Sequence, residues 1–79
     1  MNLPSGMIRL IRKQGYYYVL RFNDGTCLSM GFNFKRTSFD NAAIFVKSSD
    51  AQNAIYAYDA SLMMKGAKRD LPTTMKIPL

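Results

Sequence analysis

The sequence predicts an α+β domain, a three-stranded antiparallel meander packed on a C-terminal helix, with a fourth strand left open. Two glycine-ended stretches, Lys13-Gln14-Gly15 and Asn23-Asp24-Gly25, separate apolar runs and read as hairpin loops. The runs beside them sort into one apolar face and one mixed face under a single register. A later stretch, KSSDAQNAIYAYDASLMMKGAK, repeats its apolar residues at helical spacing instead.

Register decides each strand. With Asn23-Asp24-Gly25 as a three-residue loop, Phe22 pairs with Thr26, Leu20 with Leu28, Tyr18 with Met30 and Tyr16 with Phe32. Tyr16, Tyr18, Leu20, Phe22 and Leu28 then share the core face. Tyr17, Val19, Arg21, Cys27 and Ser29 share the other, because neighbouring strand residues point to opposite sides. A two-residue loop would oppose Leu20 to Ser29 and mix the faces. Upstream, Lys13-Gln14-Gly15 as a loop sets Leu10 opposite Tyr18 and Ile8 opposite Leu20. It also places Arg9 beside Val19, Ile11 beside Tyr17 and Met7 beside Arg21. The expected strands are residues 7–13, 16–22 and 26–34.

The helix opens on Ser49 as N-cap, with Gln52 completing a capping box and Asp50 favouring the positive helix end. Ala51, Ala54, Ile55, Tyr58 and Leu62 form its inward stripe, and Gly66 stops it. Met63 and Met64 read as core filler. TSFDNAAIFVK has two readings: a short helix capped by Asp40, or a fourth strand or extended segment, which Ile44, Phe45 and Val46 favour. The tail 67–79 carries two prolines and no period, and reads as an extended C-terminal arm of a single domain spanning 1–79. Such an arm can be loose, pack along the domain, or follow a phosphate backbone.

Composition narrows the chemistry. The 79 residues include no histidine and no glutamate, and one cysteine, Cys27. The commonest general base and metal ligand is therefore missing, and neither an internal disulfide nor a zinc cage can form. Of the five aspartates, Asp24 belongs to a turn, and Asp40 and Asp50 stand where helices can begin. Little remains for paired-carboxylate catalysis. Cys27 has no histidine to activate it and reads as a small strand residue. The expectation is a protein that is not an enzyme and has no cofactor and no metal. No apolar run approaches the ~20 residues of a membrane span, the opening MNLPSGM lacks a signal-peptide pattern, and the lone cysteine suits a reducing cytoplasm.

Charge supplies the functional expectation. The net charge is +6, and the first 23 residues hold Arg9, Arg12, Lys13 and Arg21 with no acid. Such a balance favours a polyanion, nucleic acid before membrane surface. On the meander's second face, Arg9 and Arg21 flank Tyr17 beside the small residues Cys27, Ser29 and Gly31. That arrangement suits a groove or a stacked base, with Arg9 and Arg21 on phosphates or guanine edges and Tyr17 stacking. Lys13, Arg36, Lys68 and Arg69 add general phosphate attraction. The same face would equally serve a homodimer or an ordinary half-solvated sheet.

A basic meander followed by a helix resembles the ethylene-response-factor type DNA-binding domain and the arm-binding domains of tyrosine integrases. The resemblance is carried by IRLIRKQGYYYVLRFNDG, with its Arg-x-x-Arg, Gly, aromatic, Arg order, and by AIYAYDASLMMKG, an Ala-Tyr-Asp helix ending in glycine. It covers most of residues 8–66 and implies DNA contacts from Arg9, Tyr17 and Arg21. By that alignment NFKRTSFDNAAIFVK is additional. If residues 42–47 are a fourth strand, the element order also resembles the positive-cofactor type of single-strand-binding domain, which works as a dimer. A reading from another class is a small phage or mobile-element type protein that binds and inhibits a host protein through the same surface.

Overall fold

The computed structural model describes residues 4–29 and 34–79. In chain order the elements are α1 (Ser5–Gln14), β1 (Tyr16–Arg21), β2 (Cys27–Ser29), β3 (Lys35–Thr37), a 3-10 turn (Phe39–Asn41), α2 (Ser48–Lys65) and β4 (Thr73–Pro78). The strands form one antiparallel sheet in the order β3-β2-β1-β4. The fold is α+β, with the meander β1-β2-β3 and the C-terminal helix α2.

Residues 7–13 are not a strand. They lie in α1, which ends where Gly15 takes φ 86° and donates its N–H to Ile11 O at 2.8 Å. A left-handed glycine closes a helix as readily as a bulged hairpin, so Lys13-Gln14-Gly15 fits both. What favours helix is Met, Arg, Leu, Lys and Gln, all good helix formers. Arg12 and Lys13 in the last turn also complement the negative helix end. Ile11 is buried and Leu10 is 53% exposed, the reverse of the strand reading. Gln14 Nε2 pins the helix end by donating to Tyr16 O at 2.6 Å and Val46 O at 2.8 Å.

The next turn forms as the register requires. Gly25 has φ 88°, Phe22 N–H donates to Thr26 O at 2.8 Å, and Arg21 lies opposite Cys27. Asp24 Oδ1 accepts from Thr26 N–H at 2.9 Å and from its hydroxyl at 2.6 Å. Beyond that point β2 leaves β1, and the segment after the 3-10 turn comes between them. Tyr18 N–H donates to Phe45 O and Phe45 N–H to Tyr18 O, both at 2.9 Å, while Ala43 N–H reaches Leu28 O at 3.1 Å. Residues 42–45 thus wedge between the diverging strands as an extended segment with one bridge. The short helix shrinks to the 3-10 turn containing Asp40. The partners expected for Tyr16 and Tyr18, Phe32 and Met30, lie outside the described residues.

Two clusters follow from this alternation. Leu20, Phe22 and Leu28 bury against Ala51, Ala54, Ile55 and Tyr58 of α2, with Tyr18, Phe34, Phe45 and Leu62 around them. Tyr58 meets Phe22 and Phe34 edge-on at 5.8 and 5.7 Å between ring centres. Each fully buried apolar side chain here contributes roughly 1.5–3 kcal/mol. On the other face Val19, Cys27 and Ala42 form a smaller cluster, flanked by Tyr17, Ile44 and Ile77. Period two explains the division: Ala42 and Ile44 turn to one face and Phe45 to the other.

Two details of α2 differ from expectation. The residue before it is Lys47, and no side chain caps it, so the Ser49–Gln52 capping box does not form. Met63 and Met64 are 64% and 89% exposed, so neither fills the core. They lie opposite the Ala51–Ala54–Ile55–Tyr58 stripe on the helix. Gly66 ends α2 at φ 65°, with its N–H on Leu62 O and Met63 O. The tail turns back, and β4 runs the length of β1 from Tyr16–Pro78 to Arg21–Thr73.

Candidate functional site

The expected site residues separate onto three parts of the molecule. Arg9 and Lys13 are exposed on α1, so Arg9 is not the cross-strand neighbour of Val19. Arg9 has a different companion. Arg12 lies three residues on, hence on the same helical side, and the two line an open depression of about 420 Å³ with Ser5 and Ile8. The sequence marks Arg12 only as one of the four cations in the first 23 residues. Its i, i+3 spacing from Arg9 marks it once the segment is read as helical.

Tyr17 and Arg21 do share the sheet face away from α2, but that face is partly covered. Tyr17 is half-buried against the Val19–Cys27–Ala42 cluster, with Ile77 opposite it on β4. It does not stand free between two arginines. Arg21 is exposed, and its guanidinium lies over the Gly25 turn, with Nη2 3.9 Å from where a Cβ on Gly25 would stand. Cys27 is buried beneath this face. Burial pushes its thiol pKa up, against a smaller opposing pull from Arg21, so the group stays protonated and weakly nucleophilic.

Arg36 faces the other way. It pairs with Leu28 across β2 and β3, on the α2 side of the sheet, and its guanidinium carbon sits 4.0 Å from the centre of the Phe22 ring. It bridges Asp70 and, at 3.5 Å, Asp24. The hydrogen bond to Asp70 is the main cause that raises its pKa. Asp24 is lowered first by its bonds from Thr26 and then by Arg36. Arg69 forks onto Asp59, Nε to Oδ1 at 2.8 Å and Nη2 to Oδ2 at 2.7 Å, which lowers the carboxyl and raises the guanidinium. Lys68, beside it, is exposed.

These three carboxylates are committed to Arg36 and Arg69. The other nine lysines and arginines have no carboxylate within 4.0 Å among the described residues. They include Arg9, Arg12 and Lys13 on α1 and Arg21 on β1. Lys76 instead lies 4.0 Å above the Tyr16 ring. Among the described residues no group of three or more histidine, cysteine, aspartate or glutamate side chains could hold a metal ion. Among the described residues no helix is long and apolar enough to cross a membrane.

Two guanidiniums a helical turn apart with no carboxylate partner among the described residues, beside a hydroxyl and an aliphatic side chain, can grip a phosphate by parallel N–H bonds and cover a sugar. No protein-family model, curated protein or solved structure matches the chain.

Proposed function

We propose that this chain is a small, basic, non-enzymatic nucleic-acid-binding module, with DNA favoured, whose leading contact is the exposed basic side of α1. The observation that carries the reading is the distribution of charge. The paired aspartates are spent on Arg36 and Arg69, while α1 presents Arg9, Arg12 and Lys13 with no acidic residue on the helix. An unneutralised cluster of this kind attracts a polyanion and gains further by releasing its counterions.

Arg21 extends the footprint. Gly15 joins α1 directly to β1, and Arg21 closes that strand about 17 Å further on at ~3.3 Å per residue. Together the two groups would follow a run of phosphates and not grip a single one. Arg36 and Arg69 contribute only to the distant field, and Tyr17 packs at the margin of the footprint. Phosphate contacts of this type give affinity and orientation without reading bases.

The test is a fluorescence titration of duplex DNA, single-stranded DNA and RNA at several salt concentrations. Four engaged cations predict a log–log slope of about −3.6 on duplex and about −2.8 on single strands. Duplex affinity should then fall about 150-fold between 50 and 200 mM salt. A slope near zero, or no binding at 50 mM salt, would remove this reading.

A further inference from the structure

The depression on α1 has a chemistry more particular than that of a basic surface. Ser5, Ile8, Arg9 and Arg12 stand at i, i+3, i+4 and i+7, so they fall within an arc of about 100° on one side of the helix and span about 10 Å of its axis. Ser5, Arg9 and Arg12 are exposed and Ile8 is half-buried. Helical side chains lean towards the N-terminus, which carries both guanidiniums back over the turn that holds Ser5. Among the described residues no carboxylate lies within 4.0 Å of either arginine, and the first turn of α1 holds no acid. The other guanidiniums stand apart: Arg21 lies over the Gly25 turn, and Arg36 and Arg69 are held by aspartates.

We infer that this depression seats the terminal phosphate of a nucleic-acid strand, a phosphate monoester, in preference to the diesters of the strand's interior. Oxygen count and charge select between the two. A diester offers two unbridged oxygens and one negative charge, which a single forked guanidinium satisfies. A monoester offers three such oxygens and a charge of about −1.5 to −2 at pH 7, matching two guanidiniums and a hydroxyl. At about 420 Å³ the depression also has room for the adjoining sugar, which the aliphatic side chain of Ile8 would meet. Interior phosphates then fall to Lys13 and Arg21, as in the nucleic-acid reading on which this inference rests. The chemistry is common to 5′ and 3′ ends, and the arms of the test separate them.

The test is a titration of the full chain with internally labelled oligonucleotides of one sequence, carrying a 5′-phosphate, a 3′-phosphate or hydroxyls at both ends. A hydroxyl-ended strand one nucleotide longer matches the number of phosphates. One of the phosphorylated ends, or both, should bind about tenfold tighter than either hydroxyl-ended strand, the worth of one charge-assisted hydrogen bond. Arg9→Lys/Arg12→Lys keeps the charge and the helix but removes the forked geometry. The readout is the ratio of affinities for phosphorylated and hydroxyl ends within that variant, which should drop below about threefold. Equal affinity of the parent chain for phosphorylated and hydroxyl ends overturns the inference and leaves the nucleic-acid reading standing. A tenfold ratio that survives in the lysine variant also overturns it, since another part of the molecule would then read the end. Binding to none of the strands at low salt overturns both.

Discussion

Truncating Leu10 and Ile11 separately tests whether the first element is a helix. In α1, Ile11 is 6% exposed and Leu10 is 53% exposed. Ile11→Ala removes three buried carbons, about 2.4 kcal/mol at ~0.8 kcal/mol each, before any cavity left behind is counted. A total loss of about 2–4 kcal/mol is expected, against a stability of roughly 4–12 kcal/mol for a chain this size. Leu10→Ala gives up only about half of that burial and gains slightly in helix propensity, so its loss should stay below about 1 kcal/mol. Urea unfolding followed by far-ultraviolet circular dichroism measures both. The midpoint of Ile11→Ala should fall well below that of Leu10→Ala, with slopes unchanged. In a strand register Leu10 would face the core and Ile11 would face away. A larger loss for Leu10→Ala would therefore refute the helix.

Tyr18→Ala should cost more than Tyr17→Ala, roughly 2–4 against 1–2 kcal/mol, because Tyr18 packs on the larger cluster and edge-on to Tyr16; equal midpoints in urea would contradict the division of faces. Ser49→Ala should change stability by less than about 0.5 kcal/mol, where a true N-cap would lose about 1 kcal/mol, and thermal unfolding resolves the difference. The Asp24 and Asp59 carboxyls are both held below their ordinary 3.8, Asp24 mainly by Thr26 and Asp59 mainly by Arg69. Depressed folded values mean that the pairing stabilises the fold above about pH 4 and is lost as pH falls through them. Urea midpoints between pH 5 and 2 should therefore fall less steeply for Asp59→Asn than for the parent chain.

The legible parts of the fold were those where two local rules agree. At Asn23–Gly25, a left-handed glycine and strict alternation on both sides allow one register. Along α2, five apolar positions at helical spacing and Gly66 define the buried face and the stop. Around Gly15 the rules diverge. Ile8-Arg9-Leu10-Ile11-Arg12 satisfies both periods, and a left-handed glycine closes either element. The prolines of the tail suggest an arm, yet β4 is an edge strand with Pro72 before it and Pro78 at its last position. There a missing N–H removes little from the ladder.

The candidate site was less legible because its ion pairs are not local. Nothing adjacent to Arg36 announces Asp70, 34 residues away, or the Phe22 ring beneath it. Nor does the alternation of β1 disclose that Ala42 and Ile44 join Val19 and Cys27 on the face that Tyr17 shares. The exposure of Met63 and Met64 was available from helical spacing, since both fall opposite the inward stripe.

The central claim, that α1 carries the nucleic-acid contact, is tested most directly by duplex-DNA titration of Arg9→Ala/Arg12→Ala/Lys13→Ala. Alanine preserves the helix, so circular dichroism and urea midpoint should stay close to those of the parent. Removing three phosphate contacts predicts an affinity loss of about 500-fold at 0.1 M salt and a slope reduced from about −3.6 to about −0.9. An affinity within about threefold of the parent, with the slope unchanged, would contradict it.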